Sequence, residues 1–251
     1  MTTDELVVDV SRDWVMACEV QQGFMHALCT ATESFDYSAR CRQVRALGGD
    51  CYNFMPLEDD SLAMVVGDAS GKGLAAALMI ANVQSSLRTA AVFTGDDLAT
   101  LFRVVSHEVH ASSPEDRYAT LFYGTFNPSS RILRYVNAGH IPPVLMRRDG
   151  SMHCLETGGS PVGLFAGSEY EEGSIKLESG DLVIAFTDGL VEVENQDGEE
   201  WGLPGLLKAA TCAAQCSLDA GNLVNLIFNS MDGFSEGQQT DDATLAVVRV
   251  I

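Results

Sequence analysis

Four aspartates stand where an apolar segment ends or a glycine pair stops. Asp68 closes Leu62–Val66 through Gly67, Asp188 follows the run 181–186 through Thr187, Asp241 comes just before Ala243–Val250, and Asp50 follows Gly48 and Gly49. A carboxylate at the end of a core-forming strand is costly to bury unless something neutralises it. Several such ends, brought together by one sheet system, make a strongly negative pocket that Mg²⁺ or Mn²⁺ can fill, because hard cations select oxygen ligands. Taken singly, each residue suits a turn better, since an Asp side chain accepts nearby backbone N–H groups.

Three other groupings invite chemistry and carry less. Gly67–Gly73 resembles a phosphate-cradling GxxxxGK[ST] loop, but three residues rather than four separate Gly67 from Gly71, and Gly73 stands where the hydroxyl belongs. His107, Glu108 and His110 read HEVH rather than HExxH, which suits a solvated helix face better than zinc. Cys212 and Cys216, four apart on a helical stretch, read as small buried residues rather than ligands.

The elements that must carry the aspartates follow from periodicity. Leu62–Val66 reads as a strand, then comes the tight loop Ser70-Gly71-Lys72-Gly73 and an Ala-rich helix from Leu74 to Ala91. A second helix opens after Thr94 and Gly95 with Asp96 and Asp97 in its first turn, places Leu98, Leu101, Phe102 and Val105 on one face and stops near Pro114. Short apolar runs over 119–126, 132–136 and 144–146, divided by turn signals, predict an antiparallel meander. A strand over 181–186, helices over 203–214 and 220–231, and a last strand over 243–250 complete an α+β reading. Upstream, Trp14, Cys18, Gln21, Met25 and Leu28 form one stripe of a helix over 11–28. That stripe suits packing on its own domain and pairing between two chains about equally, which divides the chain into an N-terminal helix, 1–30, and a main domain, 31–251.

Composition bounds the function. The chain has 251 residues, 46% of them apolar, enough for a proper core, and carries a net charge of −20. So acidic a surface repels nucleic-acid phosphates and favours a cation. Apolar stretches such as Leu74–Val83 are too short to span a bilayer. The start of the chain lacks the pattern of a secretory signal and the seven cysteines show no CxxC pair, so a reducing cytoplasm is expected.

The blocks GGDCYNFMPLEDDSLAMVVGDASGKGLAAALMIA, YATLFYGTFNPSSRILRYVNAGHIPPVL, AFTDGLVEVENQDGEEWG and TDDATLAVV, in that order, resemble the stage II sporulation protein E type of bacterial serine/threonine phosphatases, within the metal-dependent superfamily that includes protein phosphatase 2C. The resemblance implies two packed antiparallel sheets flanked by helices, an α-β-β-α sandwich with two Mn²⁺ or Mg²⁺ ions at one end. It makes Asp68 the carboxylate bridging both ions with the Ala69 carbonyl beside it, gives Asp50 to one ion, and gives Asp188 and Asp241 to the other. Hydrolysis of phosphoserine or phosphothreonine by metal-activated water follows. Arg45 and Lys72 are placed to neutralise the phosphate, although such residues are commonly solvated. The sequence departs from the family in Cys51 and Asn53, where Tyr and Asp are usual, and in Ala69 and Ser70, where protein phosphatase 2C has Gly and His, so no general acid is evident. His140 reads as a buried structural residue. The family's usual substrate is a phosphorylated anti-anti-sigma (STAS-domain) protein in partner-switching signalling, with control through the helix entering the domain, which leaves a homodimer through 1–30 open. The competing reading is a catalytically silent module that keeps the fold for binding.

Overall fold

The computed structural model describes residues 3–25, 32–114, 116–216 and 218–251. Helix α1 (Thr3–Gln22) leads into β1 (Phe35–Arg42), β2 (Asp50–Pro56) and β3 (Leu62–Ala69). Next come α2 (Leu74–Thr94), α3 (Leu98–Ser112), β4 (Ala119–Asn127), β5 (Ile132–Ala138), β6 (Val144–Met146), β7 (Met152–Cys154), β8 (Gly158–Gly159), β9 (Gly173–Lys176) and β10 (Leu182–Phe186). Three helices, α4 (Asp188–Val191), α5 (Gly202–Gln215) and α6 (Ala220–Ser235), precede β11 (Ala243–Val250). One sheet runs β1-β11-β10-β6-β7; the other runs β2-β3-β4-β5-β8 with β9 also on β5. Pairing is antiparallel except between β5 and β8, so the second sheet is mixed.

The side-chain period of two explains the layering. In β3, Leu62, Met64 and Val66 join the core between the sheets, while Ala63 and Val65 pack under α2 and α3. In β10, Val183 and Ala185 face the other sheet, while Leu182, Ile184 and Phe186 lie beneath α5 and α6. Both faces of these strands are covered, which is why they read as continuous apolar runs. The expected sandwich of two sheets between helical layers is the observed one. Phe186, 1% exposed, plugs the layer under α5 and α6 one residue before Thr187. Phe186→Ala should cost about 3–5 kcal/mol in a urea unfolding curve, and a loss below about 1 kcal/mol would show that this layer collapses around the gap.

Several sequence expectations need correction. The meander stops at β5: β6 crosses to the other sheet and pairs with β10, because Pro142 and Pro143 lack the N–H groups that would continue the ladder. β1 escaped notice because Asp36, Arg40 and Arg42 interrupt its apolar pattern. Those residues serve the helix layer: Asp36 pairs with Arg249 at 2.9 Å and accepts the Ala220 N–H, while Arg40 and Arg42 lie over the Phe228 ring. Asp97 is the N-cap of α3, accepting the Thr100 N–H at 2.9 Å, rather than a residue of its first turn. Helix α1 ends at Gln22, with Gly23 and Phe24 in a turn, and Leu28 lies outside the described residues. Cys212 and Cys216 are exposed, not buried.

Candidate metal centre

β2 and β3 pair so that Asp50 stands directly opposite Asp68. In the other sheet, the end of β10 and the start of β11 lie side by side, the Thr187 N–H donating to the Thr244 carbonyl at 3.1 Å. The two sheets meet here. The hydroxyls of Thr187 and Thr244 both donate to Asp50 Oδ2 at 2.7 Å, so Asp50, 2% exposed, ties one sheet to the other. Asp188 opens α4, and its Oδ1 accepts the Gly189 N–H at 2.7 Å. A Cβ on Gly189 would stand 2.1 Å from the Asp242 carbonyl oxygen, so only glycine lets α4 approach the 241–242 backbone this closely. Ala69 ends β3 with its N–H on the Gly49 carbonyl at 3.1 Å.

The electrostatics are those of crowded carboxylates. Burial pushes the Asp68 carboxyl up to about 7, helped by the charges of Asp188, Asp241 and Asp242. Burial, then Asp68, raises Asp50 well above the usual carboxylate range, against the opposing bonds from Thr244 and Thr187. Glu192 is raised by burial and then by Asp188. Lys72 answers part of this charge, its Nζ 2.6 Å from Asp241 Oδ2. Arg45 lies across the same loop, its Nη1 3.3 Å from where a Cβ on Gly73 would stand. Arg117 donates to the Ser70 carbonyl at 3.2 Å.

All four aspartates, Ala69, Arg45 and Lys72 therefore gather around one end of the sandwich. Among the described residues, no three His, Cys, Asp or Glu side chains form a ready ligand set for one ion. Asp241 is turned onto Lys72, and Asp50 onto two threonines. The donor chemistry nonetheless fits hard divalent cations: the donors are oxygens, and burial followed by mutual repulsion raises Asp50 and Asp68, which a bound cation would offset.

Sequence reading passed over Thr187, Thr244, Asp242 and Arg117, although the first three lie inside the TDG and DDATL blocks. His140 is buried and held neutral, with its pKa lowered to about 4 by burial, and its Nδ1 is 3.0 Å from Thr120 Oγ1. His107 and Glu108 are exposed on α3, and His110 Nδ1 contacts the Gly163 carbonyl at 2.9 Å.

A sequence model of the stage II sporulation protein E (SpoIIE) family matches residues 58–251. The chain belongs to the SpoIIE family. Among SpoIIE-type relatives, it is 28% identical to the phosphoserine phosphatase RsbU of Bacillus subtilis, over 96% of this chain and 71% of RsbU. It is 26% identical to protein IcfG of Synechocystis sp., over 92% of this chain but only 40% of IcfG, so it spans less than half the length of that relative. The SiaA-PP2C domain of Pseudomonas aeruginosa superposes with a TM-score of 0.83 at 17% identity, covering 99% of each chain, which shows that the SpoIIE-family fold here is that of protein phosphatase 2C.

Proposed function

We propose that this chain is a metal-dependent protein-serine/threonine phosphatase. The observation that carries the reading is the convergence of Asp50, Asp68, Asp188 and Asp241, from both sheets, at one end of a phosphatase fold. Asp50, Asp68, the Ala69 carbonyl, Asp188 and Asp241 are the groups to hold two Mn²⁺ or Mg²⁺ ions, and a structure of the same fold, the catalytic domain of PstP, contains two manganese ions. Bound ions supply the Lewis-acid charge that activates water and screens phosphoryl oxygens. Around them Lys72 offsets the charge of Asp241, and Arg45 meets the phosphoryl group of the substrate.

A phosphorylated STAS-domain protein is the proposed substrate and the cytoplasm the proposed location. RsbU, named as a phosphoserine phosphatase, supports a phosphoserine group on that substrate. Residues 1–30 are proposed to regulate the domain 31–251 through α1. Gln21 is buried, its Nε2 donating to the Gly48 carbonyl at 2.7 Å and its Oε1 accepting the Gly48 N–H at 3.2 Å. Trp14, Val15, Met16 and Val20 remain exposed on α1, which suits pairing with a second copy.

Release of phosphate from a phosphoserine protein, with Mn²⁺, Mg²⁺ or EDTA, tests the activity. Hydrolysis is expected with either metal and none with EDTA. Arg45→Ala should raise KM about tenfold with kcat nearly unchanged, as fits the loss of one charge-assisted contact of about 1.4 kcal/mol. Metal-independent hydrolysis, or none under any condition while the chain binds Mn²⁺, would overturn the reading, the latter in favour of a silent binding module.

A further inference from the structure

Two adjacent aspartates precede β11, and they do different things. Asp241 faces Lys72 and presses on Asp68. Asp242 turns the other way, onto the connection between β1 and β2. Its Oδ1 accepts the Val44 N–H at 2.8 Å and its Oδ2 accepts the Gly49 N–H at 3.0 Å. One carboxylate thus spans the loop from Val44 to Gly49 with both its oxygens, and Arg45 lies inside that span while Asp50 follows it directly. Glycine at 48 is required by this contact, since a Cβ there would stand 2.3 Å from Asp242 Oδ2. Gln239 reinforces the same junction, its Nε2 donating to the Arg42 carbonyl at 2.8 Å and to the Asp241 carbonyl at 2.6 Å.

We infer that Asp242 is a positioning residue, holding the 43–49 loop so that Asp50 is presented to the metals and Arg45 to the phosphorylated substrate. Backbone N–H groups donating to an ionised carboxylate make strong, directional bonds. Without them, the loop keeps the Gln21 contacts at Gly48 and Gln43, the Cys18 thiol's bond to the Ala46 carbonyl and the Gly49 carbonyl's bond from Ala69, none of which holds the Val44 or Gly49 N–H. A short chain joining two strands of different sheets then samples other conformations, and each one moves Arg45 and Asp50 together. Asp242 acts on metal affinity and on KM through that loop, with no contact of its own to a reacting atom. This inference rests on the metal-phosphatase reading.

The test uses the full chain and its Asp242→Ala and Asp242→Asn variants. In metal-free protein, amide exchange at Val44 and Gly49 should accelerate about tenfold or more in Asp242→Ala, and less in Asp242→Asn, whose amide oxygen can still accept one bond. Calorimetric Mn²⁺ affinity should weaken about tenfold, as outer partners of metal ligands do when removed. At saturating Mn²⁺, kcat should return to within about threefold of the parent, while KM for a phosphoserine peptide stays raised. Unchanged exchange at both amides would overturn the inference. So would a large loss of kcat, equal in both variants and not restored by Mn²⁺, since that marks a ligand. Should Asp242→Ala not fold, Asp242→Asn carries the exchange and Mn²⁺ measurements alone. A parent chain that binds no Mn²⁺ would sink the metal reading instead, and the exchange data would still decide what Asp242 holds.

Discussion

Asp68→Asn is expected to lose about a thousandfold or more in turnover at every Mn²⁺ concentration, and at the same time to stabilise the metal-free fold. The two effects have one cause. Asp68 lies opposite Asp50 on the neighbouring strand and within the field of Asp188, Asp241 and Asp242. An amide of the same shape removes the carboxylate charge proposed to hold the metals, and bound cations would lose that ligand. The same change removes repulsion that the empty cluster carries, so without metal the melting temperature should rise by about 2–4 °C for roughly 1 kcal/mol of relief in a chain of this size. Phosphatase assays with a Mn²⁺ titration, alongside thermal melts in EDTA, measure both. Turnover equal to the parent's would remove Asp68 from the centre, and a lowered melting temperature would mean that its carboxylate is structurally paired rather than crowded.

The stabilisation conferred by Mn²⁺ should grow steeply with pH between about 5 and 7.5. In the metal-free fold Asp68 titrates near 7, above its ordinary 3.8, and Asp50 is raised too. Between about 4 and 7 Asp68 therefore binds more protons in the folded metal-free chain than in the unfolded one, and its contribution to stability falls as pH rises through that window. Metal binding demands ionised carboxylates, so protons compete with Mn²⁺ at low pH and cease to compete above the folded value. The gap between melting temperatures in Mn²⁺ and in EDTA should thus be small at pH 5 and large at pH 7.5. His140, held neutral with its pKa near 4, costs stability as pH falls from 6.5 toward 4. That cost is present with and without metal and cancels in the gap. A gap that is flat, or widest at pH 5, would show that these carboxylates are not the ligands.

The parts of the site visible in the sequence are those where one chemical rule dominates locally. β3, the glycine loop and α2 read correctly because a strand buried on both faces, a turn and an Ala-rich helix each leave a distinct pattern, and the ends of β10 and β11 are marked by aspartates after or before apolar runs. What failed to show depends on partners distant in sequence. β1 hides because Asp36, Arg40 and Arg42 have their partners on β11 and α6, and their charges look like a solvated stretch until Arg249 and Phe228 are in place. Asp242 carries no signal of its own beside Asp241, and only the return of the 43–49 loop gives its two oxygens something to hold. Cys212 and Cys216 lie on a helix whose apolar face is set by Leu206, Ala209, Ala210 and Ala213, a phase that leaves both thiols outward.

The two threonines on Asp50 would also limit how it could hold a metal. Thr187 and Thr244 both donate to Oδ2. A cation approaching this carboxylate therefore meets Oδ1 as the oxygen not already claimed by those hydroxyls, and gains one strong donor where a free aspartate would offer two. Six-coordinate ions such as Mg²⁺ and Mn²⁺ are suited by single oxygens at short, fixed distances, whereas Ca²⁺, with its larger and looser shell, draws on carboxylates that can chelate with both. Discrimination between cations would in this way rest on a pair of hydroxyl groups that belong to the opposite sheet.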